Sequence, residues 1–512
     1  MSGKGQGMAK FFLGIDIGTY ESKGVLMDGE CRIKAVHTER HGLENPRENY
    51  FEHDAEKVWW GDFCRITHAL MQKTGLKSSD IAAVGASTLG ADLVAVDEEC
   101  RPLRKAILYG IDARAGKEIE RLNKKYGLEK VLEFNGRPLC SNDVPPKILW
   151  LKNNEPLIHE KAYKFLTGSS FITAKLTGRY VIDRFLAYGA FTPLYDTRDG
   201  SVNMEYCEEF CRPDQLARVC DTTDIAGVVT GRAAQETGLM EGTPVIAGTD
   251  DSAAEAISTG VLEKGDMMVQ IGSSLYLIGL CGKLLRDTRV WSGGFLIPGT
   301  FSVQGGTNNA GTLTRWYRDN IFFDKAGEED EGGPNAYDAM LRGIEEIPPG
   351  AGGLITLPYF AGERTPINDP QARGMLFGLT LRHTRQHMYR SALEAVGYSL
   401  AQHFDIFRKN GVDIRTIYAV GGGTKAPVWM QILSDILGVE IVTADVTVGA
   451  SFGDAVMAAI GVGHFAGFTE VRNYIRPGRR YYPNERAHCL YEPYVKIFGE
   501  LYQRNRDLMH LL

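Results

Sequence analysis

The sequence predicts an α/β protein of two domains, in which mixed sheets are flanked by helices. Apolar runs of strand length alternate with helical segments along the 512 residues, and this alternation is typical of the α/β class. The chain is long enough for two large domains, each with a core of its own. A turn of glycine and hydroxyl residues joins two apolar strands near the start and again past the middle, which indicates a duplicated architecture.

The elements of the first half follow one another in the order that an alternating fold requires. Apolar runs, turn residues and amphipathic stretches define them. They are an opening hairpin over 11–28, a polar loop over 39–56, a helix over 55–72, strands over 81–87 and 93–97, a helix over 115–126, a helix that begins or ends at 147–151, an apolar segment over 171–176 and a buried strand over 244–248.

The second half repeats the alternation after a boundary that we place near Gly260. The predicted domains are therefore residues 11–258 and 259–512. The later elements are strands over 267–271, 275–280 and 354–357, a mobile surface loop over 327–334, a long helix from about 384 to 409 and a β-α-β unit over 415–445.

Composition and charge argue against several classes of protein. The formal net charge is −7 and the sequence has no long basic run, which argues against nucleic acid as the main partner. The sequence also lacks a run of about eighteen apolar residues, so no membrane span is expected, and its polar start lacks the apolar core of a signal peptide. Nine cysteines without CxxC spacing are expected to be thiols in a reducing compartment. We therefore expect a cytoplasmic protein.

The first glycine turn carries three groups that suit a phosphate and its magnesium ion. Gly18 can adopt a positive φ and allows another group to approach the backbone closely. Thr19 adds a hydroxyl, and Asp16 places a carboxylate beside the turn. A backbone concavity with such oxygen ligands is typical of phosphate and magnesium sites. The alternative is an ordinary hairpin in which the glycine only makes the turn.

The second glycine turn repeats this pattern in the later half of the chain. Gly272, Ser273 and Ser274 follow one apolar strand and precede another. Each half would then offer one phosphate loop to a shared cleft. The similarity is one of pattern rather than identity, so the repeat is a hypothesis.

Two adjacent aspartates stand where a buried strand ends and a helix of small residues begins. Open α/β sheets bind their ligands at this end of a strand. Asp250 and Asp251 therefore include a candidate for the group that accepts a proton from a substrate hydroxyl. The alternative is that they only cap the helix, and two adjacent carboxylates allow one for each task.

A glycine-rich segment late in the chain nearly satisfies a dinucleotide-binding fingerprint. A strand, the glycines at 421, 422 and 423, a helix, a second strand and Asp445 follow one another. The same glycines would bring the backbone close to an adenine base or a phosphate, so an NAD enzyme and an ATP enzyme both remain open. A purely structural glycine turn is the third alternative.

The most specific stretch consists of two short segments close together. Residues 374–379 read GMLFGL and, after seven residues, 387–394 read HMYRSALE. This combination resembles the second signature of the FGGY carbohydrate kinases, and the rest of the chain resembles that family almost from end to end. In this resemblance 14–19 is similar to the first phosphate loop, 272–274 to the second, 248–254 to the segment of the catalytic aspartate, 310–319 to a nucleotide contact segment and 421–423 to the adenosine site.

The resemblance implies a two-domain, actin-like ATPase fold of the ribonuclease H-like type, with a cleft between domains that close on their ligands to exclude water. Residues 11–258 would hold the sugar and residues 259–512 most of the ATP. In the register of xylulokinase-like members, the catalytic base falls on Asp251, and Asp16 would help to organise Mg²⁺. The residues implied for ATP are Gly18, Thr19, Gly272, Ser273, Ser274, Gly311, Gly421, Gly422 and Gly423.

The candidate substrate contacts lie in two short segments of the first half. Asp92, Asp112 and Arg114 lie in segments that face substrate in this family, and with Asp251 they are the candidate substrate contacts. Residues 89–92 show neither the Gln-Met-His-Gly of xylulokinases nor the Arg-Glu pair of glycerol kinases. The C-terminal half is nearest to xylulokinase-like members, so a ketopentose such as xylulose is the first expectation.

Several alternatives to that expectation remain open. The acceptor could be of the ribulose, erythritol or glycerol type. An NAD-dependent oxidoreductase and a non-catalytic nucleotide switch are the rivals from other classes. The expected partner is a small sugar or polyol, with no nucleic acid and no membrane, and a homodimer is the assembly left open.

Overall fold

The structure is a computed structural model that describes residues 10–444 and 448–512. Its strands are β1 (Phe11–Ile17), β2 (Glu21–Asp28), β3 (Ile33–Arg40), β4 (Glu44–Arg47), β5 (Tyr50–His53), β6 (Ile81–Thr88), β7 (Val94–Val96), β8 (Ala106–Ile107), β9 (Lys164–Leu166), β10 (Val181–Asp183), β11 (Arg218–Cys220), β12 (Ile225–Val228), β13 (Pro244–Ile246), β14 (Thr249–Asp250), β15 (Asp266–Ile271), β16 (Leu275–Cys281), β17 (Trp291–Gly294), β18 (Phe301–Thr307), β19 (Ile355–Leu357), β20 (Met375–Phe377), β21 (Thr416–Val420), β22 (Glu440–Ala444) and β23 (Pro477–Tyr481).

The helices are α1 (Gly61–Thr74), α2 (Gly116–Asn135), α3 (Val144–Asn154), α4 (Pro156–Lys161), α5 (Gly168–Thr177), α6 (Arg184–Gly189), α7 (Met204–Phe210), α8 (Gly231–Thr237), α9 (Asp251–Thr259), α10 (Gly311–Asn320), α11 (Phe323–Asp330), α12 (Ala336–Leu341), α13 (Arg385–Lys409), α14 (Pro427–Leu437), α15 (Ala450–Gly461), α16 (Phe468–Val471) and α17 (Glu485–Met509). Short 3₁₀ or π-helical turns lie at Ala55–Trp60, Ser78–Asp80, Pro213–Gln215, Ala351–Gly353 and Gly422–Lys425. Within the described residues, none of these helices has the length and apolarity needed to cross a membrane.

The chain forms two compact units, and neither is continuous in sequence. Unit 1 contains the described residues up to Leu262 together with Gly293–Phe301 and Val448–Ile475. Unit 2 contains the described parts of Glu263–Ser292, Ser302–Thr447 and Arg476–Leu512. Helix α15 therefore belongs to unit 1 although it lies late in the chain. The continuous domains expected from the sequence, 11–258 and 259–512, remain a proposal.

A mixed sheet forms the centre of unit 1. Its strands lie in the order β12-β13-β6-β1-β2-β3, and β14 pairs with β6. β1, β2 and β3 are antiparallel neighbours, whereas β6 and β13 run parallel to β1. The register places Ser87 of β6 beside Asp16 of β1. The carboxyl ends of the parallel strands meet at one edge, which is where open α/β sheets bind ligands.

The sheet of unit 2 repeats this order. Its strands lie in the order β17-β18-β16-β15-β21-β22-β23. β15 is antiparallel to β16 and parallel to β21, β22 is parallel to β21, and β23 is antiparallel to β22. The two strand pairs that carry the glycine turns, β1–β2 and β15–β16, thus occupy equivalent positions in their sheets. This shared order agrees with the predicted duplication.

Helix α15 packs directly on the sheet of unit 1 because glycines leave room for its backbone. A Cβ at Gly14 on β1 would lie 2.0 Å from the carbonyl oxygen of Ser451. A Cβ at Gly85 on β6 would lie 2.5 Å from the carbonyl oxygen of Asp454. The close approach places the side chain of Asp454 at the sheet, and the apolar core of the unit extends between the sheet and helices α1 and α5.

Most of the predicted elements are confirmed, and two loop assignments are wrong. The hairpin β1–β2, strand β6, helix α13 and the unit β21-α14-β22 agree with the sequence expectation. The predicted polar loop over 39–56 contains the antiparallel hairpin β4–β5, and β5 also pairs with β8. Residues 327–330 of the predicted surface loop are helical in α11, where Glu329 forms an ion pair with Arg318.

Candidate functional site

Acidic side chains gather at the carboxyl edge of the unit 1 sheet. Asp16 lies at the end of β1, Asp250 ends β14 and Asp251 begins α9. Because β1, β6 and β14 run parallel, their carboxyl ends bring these side chains together. The edge therefore carries carboxylates that can accept a proton from a hydroxyl group.

Ser87 links Asp16 to Asp454, a carboxylate that the sequence analysis did not single out. The Ser87 hydroxyl donates to Oδ2 of Asp454 at 2.7 Å and lies 3.3 Å from Oδ1 of Asp16. Burial, with a smaller effect of the Asp16 charge, raises the pKa of Asp454 well above its usual range. Oδ1 of Asp454 is buried with no hydrogen-bond partner among the described residues. The available signal was an acidic residue within the otherwise apolar helix ASFGDAVMAAIG.

The two adjacent aspartates have different surroundings. Asp250 is the N-cap of α9, because its Oδ1 accepts the backbone N–H of Ala253 at 2.8 Å. The hydroxyl of Ser252 also donates to Asp250, at 3.2 Å. Burial, and then the charges of Asp250 and Asp16, raise the pKa of Asp251 well above the usual aspartate value. Because the cap is supplied by Asp250, Asp251 is left as the candidate base.

The first glycine turn is held by its own backbone and by neighbouring side chains. The N–H of Gly18 donates to the carbonyl oxygen of Glu21 at 3.0 Å. A Cβ at position 18 would lie 3.0 Å from that oxygen, and Gly18 is not one of the described glycines with a positive φ. Glycine at this position is thus favoured by close packing rather than by φ. The hydroxyls of Thr19 and Tyr109 lie 3.2 Å apart.

The carboxylates beside this turn fit a magnesium ion that is held mainly by water and phosphate. Among the described residues, no three His, Cys, Asp or Glu side chains are arranged to hold a metal ion. Asp16 offers one carboxylate, and the pKa of that group is raised by burial and by the nearby charge of Glu255. Mg²⁺ in phosphate sites is commonly held by one or two carboxylates, by waters and by the phosphates themselves. Asp16 satisfies that requirement.

Asp92 is fully buried, and only one of its oxygens is hydrogen-bonded. Oδ1 accepts the backbone N–H of Gly168 at 2.8 Å, whereas Oδ2 has no partner in the part of the chain that the structure describes. Burial raises the pKa of Asp92 to about 7. A carboxylate oxygen in this state can accept a hydrogen bond from a hydroxyl group. The predicted contact between Asp92 and a substrate stays a prediction.

Asp112 and Arg114 bind each other. Nε of Arg114 donates to both oxygens of Asp112, at 2.9 and 3.0 Å, and Nη2 donates to Oδ2 at 2.7 Å. The guanidinium also donates to Glu52 at 2.8 Å and lies 4.3 Å from the ring centre of Tyr50. Both charged side chains are fully buried. They form a rigid pair, and their direct contact with a substrate stays a prediction.

Lys147 is a buried cation that the sequence analysis treated only as part of a helix. It lies within α3, and its Nζ donates to the carbonyl oxygen of Ala91 at 3.0 Å. Burial lowers the pKa of Lys147 to about 8, although the charges of Asp112 and Asp92 act in the opposite direction. The ammonium group therefore holds the backbone next to Asp92. The available signal was a lysine at the start of the apolar run KILWL.

The second glycine turn, in unit 2, is braced by the start of α10. The N–H of Gly311 donates to the carbonyl of Gly272 at 2.9 Å, and the N–H of Thr312 donates to that of Ser273 at 2.9 Å. A Cβ at Gly311 would lie 2.5 Å from the Gly272 oxygen, so glycine is needed there. Around Gly272 itself, the nearest atom to an added Cβ is the Ser274 carbonyl oxygen at 3.7 Å. The structure thus brings together the predicted residues 272–274 and 311.

The glycines at 421–423 follow β21 and precede α14, as predicted. Gly421 has a φ of 91°, and its Cβ would lie 2.6 Å from the carbonyl oxygen of Ile271 at the end of β15. A Cβ at Gly422 would have no neighbour within 4 Å. Because β15 and β21 are parallel neighbours, the two glycine segments lie at the same edge of the unit 2 sheet. Asp445, the acidic residue of the fingerprint, lies outside the described residues.

Known proteins match this chain along nearly its whole length. Residues 11–258 match the N-terminal domain, and residues 270–462 the C-terminal domain, of the FGGY family of carbohydrate kinases. The chain is 28% identical over 505 residues to the xylulose kinase of Bacillus subtilis, with 98% of each protein covered. It is 28% identical over 506 residues to the gluconokinase of the same organism, with 96% of each covered. The crystal structure of xylulose kinase from Rhodospirillum rubrum matches with a TM-score of 0.89 at 27% identity, covering 98% of this chain and 100% of that one.

Proposed function

Since the chain belongs to the FGGY family of carbohydrate kinases, we propose that it transfers a phosphoryl group from ATP to a hydroxyl of a ketopentose such as xylulose. The observation that carries this choice of acceptor is the match to xylulose kinases along nearly the whole chain. Gluconokinases match over a similar length and at a similar identity. A sugar acid is therefore the main competing acceptor.

Asp251 is assigned as the general base. Its carboxylate accepts the proton of the sugar hydroxyl while the hydroxyl oxygen forms a bond to the γ-phosphorus of ATP. The bond from that phosphorus to the β–γ bridging oxygen breaks, and ADP leaves with its electron pair. The raised pKa of Asp251 supports this role, because a base works best when its pKa lies near the working pH. Asp250 holds the start of α9 and thereby the position of the base.

Asp16 and the glycine turns are assigned to the phosphates. Asp16 would hold Mg²⁺, which when bound neutralises charge on the β- and γ-phosphates. The N–H groups of Gly18 and Gly272 donate within their own turns, so the backbone N–H and hydroxyl groups of Thr19, Ser273 and Ser274 are the donors assigned to phosphate oxygens. Gly311 supports the second turn. Within 421–423, Gly422 offers open backbone to the remainder of the nucleotide, while Gly421 and Gly423 pack against Ile271. In phosphoryl transfer, positioning of this kind supplies most of the catalysis.

Recognition of the sugar is assigned mainly to Asp92. Its unpaired Oδ2 can accept a sugar hydroxyl, while Gly168 holds Oδ1 and Lys147 holds the adjacent backbone. Asp112 and Arg114 are retained as further substrate contacts of the same region. Their mutual ion pair would keep them rigid before the sugar binds.

The test is an ADP-release assay with the purified full-length chain, Mg²⁺ and ATP. Xylulose, ribulose, gluconate, erythritol and glycerol are the acceptors. We expect the highest kcat/KM with xylulose and a phosphate ester of that sugar in the product mass spectrum. A higher kcat/KM with gluconate would replace the ketopentose by a sugar acid. Binding of ATP without transfer to any acceptor would contradict the proposal and favour a nucleotide switch.

A further inference from the structure

His41 joins the first glycine turn to helix α1. Its Nδ1 lies 2.8 Å from Oδ2 of Asp62, and its Nε2 lies 3.1 Å from the carbonyl oxygen of Gly18. The side chain of His41 is 6% exposed and that of Asp62 is 0% exposed. The backbone N–H of His41 also donates to the carbonyl of Tyr20 at 3.0 Å. The ring is therefore fixed against the turn that is proposed to bind phosphate.

Both oxygens that face the ring can only accept a hydrogen bond. A carbonyl has no proton to donate, and an ionised carboxylate is acceptor-only as well. The hydroxyl of Ser22 donates to Asp62 at 2.7 Å, and Arg65 donates to its other oxygen. Burial raises the pKa of Asp62, but the hydrogen bonds from His41 and Ser22 outweigh burial and leave that pKa below its usual value. Asp62 is thus ionised, and each ring nitrogen of His41 must carry a proton.

The neighbouring His53 has the opposite protonation state. Its ring centre lies 5.1 Å from that of His41, and the rings are nearly perpendicular. Nδ1 of His53 accepts the indole N–H of Trp59 at 3.1 Å, which requires a neutral ring. Burial and the nearby His41 hold the pKa of His53 at about 4. The positive charge of this histidine pair therefore resides on His41.

We propose that His41 is a positioning residue for the nucleotide phosphates. Its imidazolium ring donates a hydrogen bond to the Gly18 carbonyl and thereby polarises the Gly18–Thr19 peptide. The inference rests on the proposed function, because it takes a nucleoside phosphate as the ligand of this turn. A hydrogen bond to a carbonyl makes the N–H of the same amide a stronger donor, and that N–H belongs to Thr19. A cation behind the turn also attracts an anionic phosphate. A neutral side chain would lack the second effect.

A small set of charged and titratable side chains faces His41. Asp62 and Arg65 face it from α1, and His53 faces it from β5. Glu39 on β3 reaches Arg65 at 3.5 Å. A singly protonated ring could donate to only one of these two oxygens, the Gly18 carbonyl or Oδ2 of Asp62.

The first experiment compares His41→Gln with His68→Gln in the full-length chain. Glutamine keeps an N–H for the Gly18 carbonyl but carries no charge. His68, on α1, contacts the carbonyl oxygen of Glu236 at 3.1 Å and serves as the control. Calorimetry with ADP and Mg²⁺ should show an affinity about tenfold lower for His41→Gln than for the wild type. His68→Gln should bind ADP as the wild type does, and the KM for the sugar should stay unchanged in both variants.

The second experiment measures the ring directly in the wild type. Two-bond ¹H–¹⁵N correlations of histidine-labelled protein report whether both ring nitrogens carry protons, and the His41 signal is identified by its loss in His41→Gln or His41→Asn. A singly protonated His41 ring at low pH overturns the proposal, and so does an unchanged ADP affinity in His41→Gln. A wild-type chain that binds no ADP contradicts the proposed function instead, and the ring measurement still decides the charge.

Discussion

Ser87 and Asp454 are joined by a hydrogen bond of 2.7 Å although they lie 367 positions apart in the sequence. The bond connects strand β6 to helix α15 within unit 1. The same Ser87 hydroxyl oxygen lies 3.3 Å from Oδ1 of Asp16. Glycines at 14 and 85 allow the backbone of α15 to approach closely enough for this bond to form. The late helix is thus part of the acidic edge that carries the proposed base.

Two replacements of Asp454 should show separately how its hydrogen bond to Ser87 and its charge affect stability. The pKa of Asp454 is higher in the folded state than in the unfolded state. The carboxyl group therefore lowers the stability of the wild type as the pH rises from the unfolded-state pKa through the folded-state pKa. Asp454→Asn removes this penalty and should be at least as stable as the wild type at neutral pH. Asp454→Ala should be less stable by about 1–3 kcal/mol, because Ser87 loses its acceptor. Thermal unfolding at two pH values checks both, and a stable alanine variant would contradict the structural role.

Asp251→Ala should lower turnover by about 10²–10⁴-fold, the usual range for loss of a general base. Nucleotide affinity should change little, because the residue is assigned to the sugar hydroxyl. Asp250→Ala should be much milder in turnover, and it should lower stability by about 0.5–2 kcal/mol through loss of the helix cap. Steady-state kinetics and melting temperatures of both variants make the comparison. A larger loss of turnover in Asp250→Ala would move the base by one residue.

The acid limb of kcat/KM should report the pKa of Asp251. The base acts only when deprotonated, so kcat/KM should fall as the pH drops through that pKa. Because burial and the charges of Asp250 and Asp16 raise the pKa, the fall should begin well above the ordinary aspartate value of about 3.9. Asp250→Asn removes one of these charges and should move the limb to lower pH. Profiles of both proteins that coincide would exclude Asp250 as a cause.

The sequence was sufficient where structure depends on neighbouring residues. Apolar alternation and turn residues predicted β1–β2, β15–β16 and the junction at 250–251, because strand periodicity and helix starts are local properties. The bond between Ser87 and Asp454 could not be predicted, since it depends on how a distant helix packs. Spacing also did not show that Asp112 and Arg114 turn toward each other, because side-chain direction in a loop is decided by its surroundings.

Asp92→Asn should raise the KM for the sugar by about tenfold, because a charged acceptor for a hydroxyl is replaced by a neutral amide. The KM for ATP should not change. The melting temperature should stay the same or rise, since burial already disfavours the carboxylate and raises its pKa to about 7. Asp97→Asn is the matched control, because Asp97 pairs with Arg101 at an exposed turn of the same segment. Equal sugar KM values in the two variants would remove Asp92 from the sugar site.

Gly272→Val should weaken ATP binding by more than about tenfold while the protein stays folded, with sugar affinity less affected. The structure supports this separation, because an added Cβ would meet no atom beyond its own chain neighbours closer than the Ser274 carbonyl oxygen at 3.7 Å, and Gly272 is not one of the described glycines with a positive φ. The new side chain would then occupy the space in which a phosphate approaches the backbone. Melting temperature, ATP affinity and sugar affinity are measured on the same variant.

Gly453→Ala provides the contrast to Gly272→Val. Its Cβ would lie 2.0 Å from the carbonyl oxygen of Ala254, so α15 and α9 must move apart. That variant should lose thermal stability and bind both ligands less well, as expected for a glycine with a packing role. If Gly272→Val behaves like Gly453→Ala, the second turn serves only the hairpin. If Gly272→Val keeps its ATP affinity, the second turn is not a phosphate site, and residues 18–19 and 421–423 alone would have to bind the nucleotide.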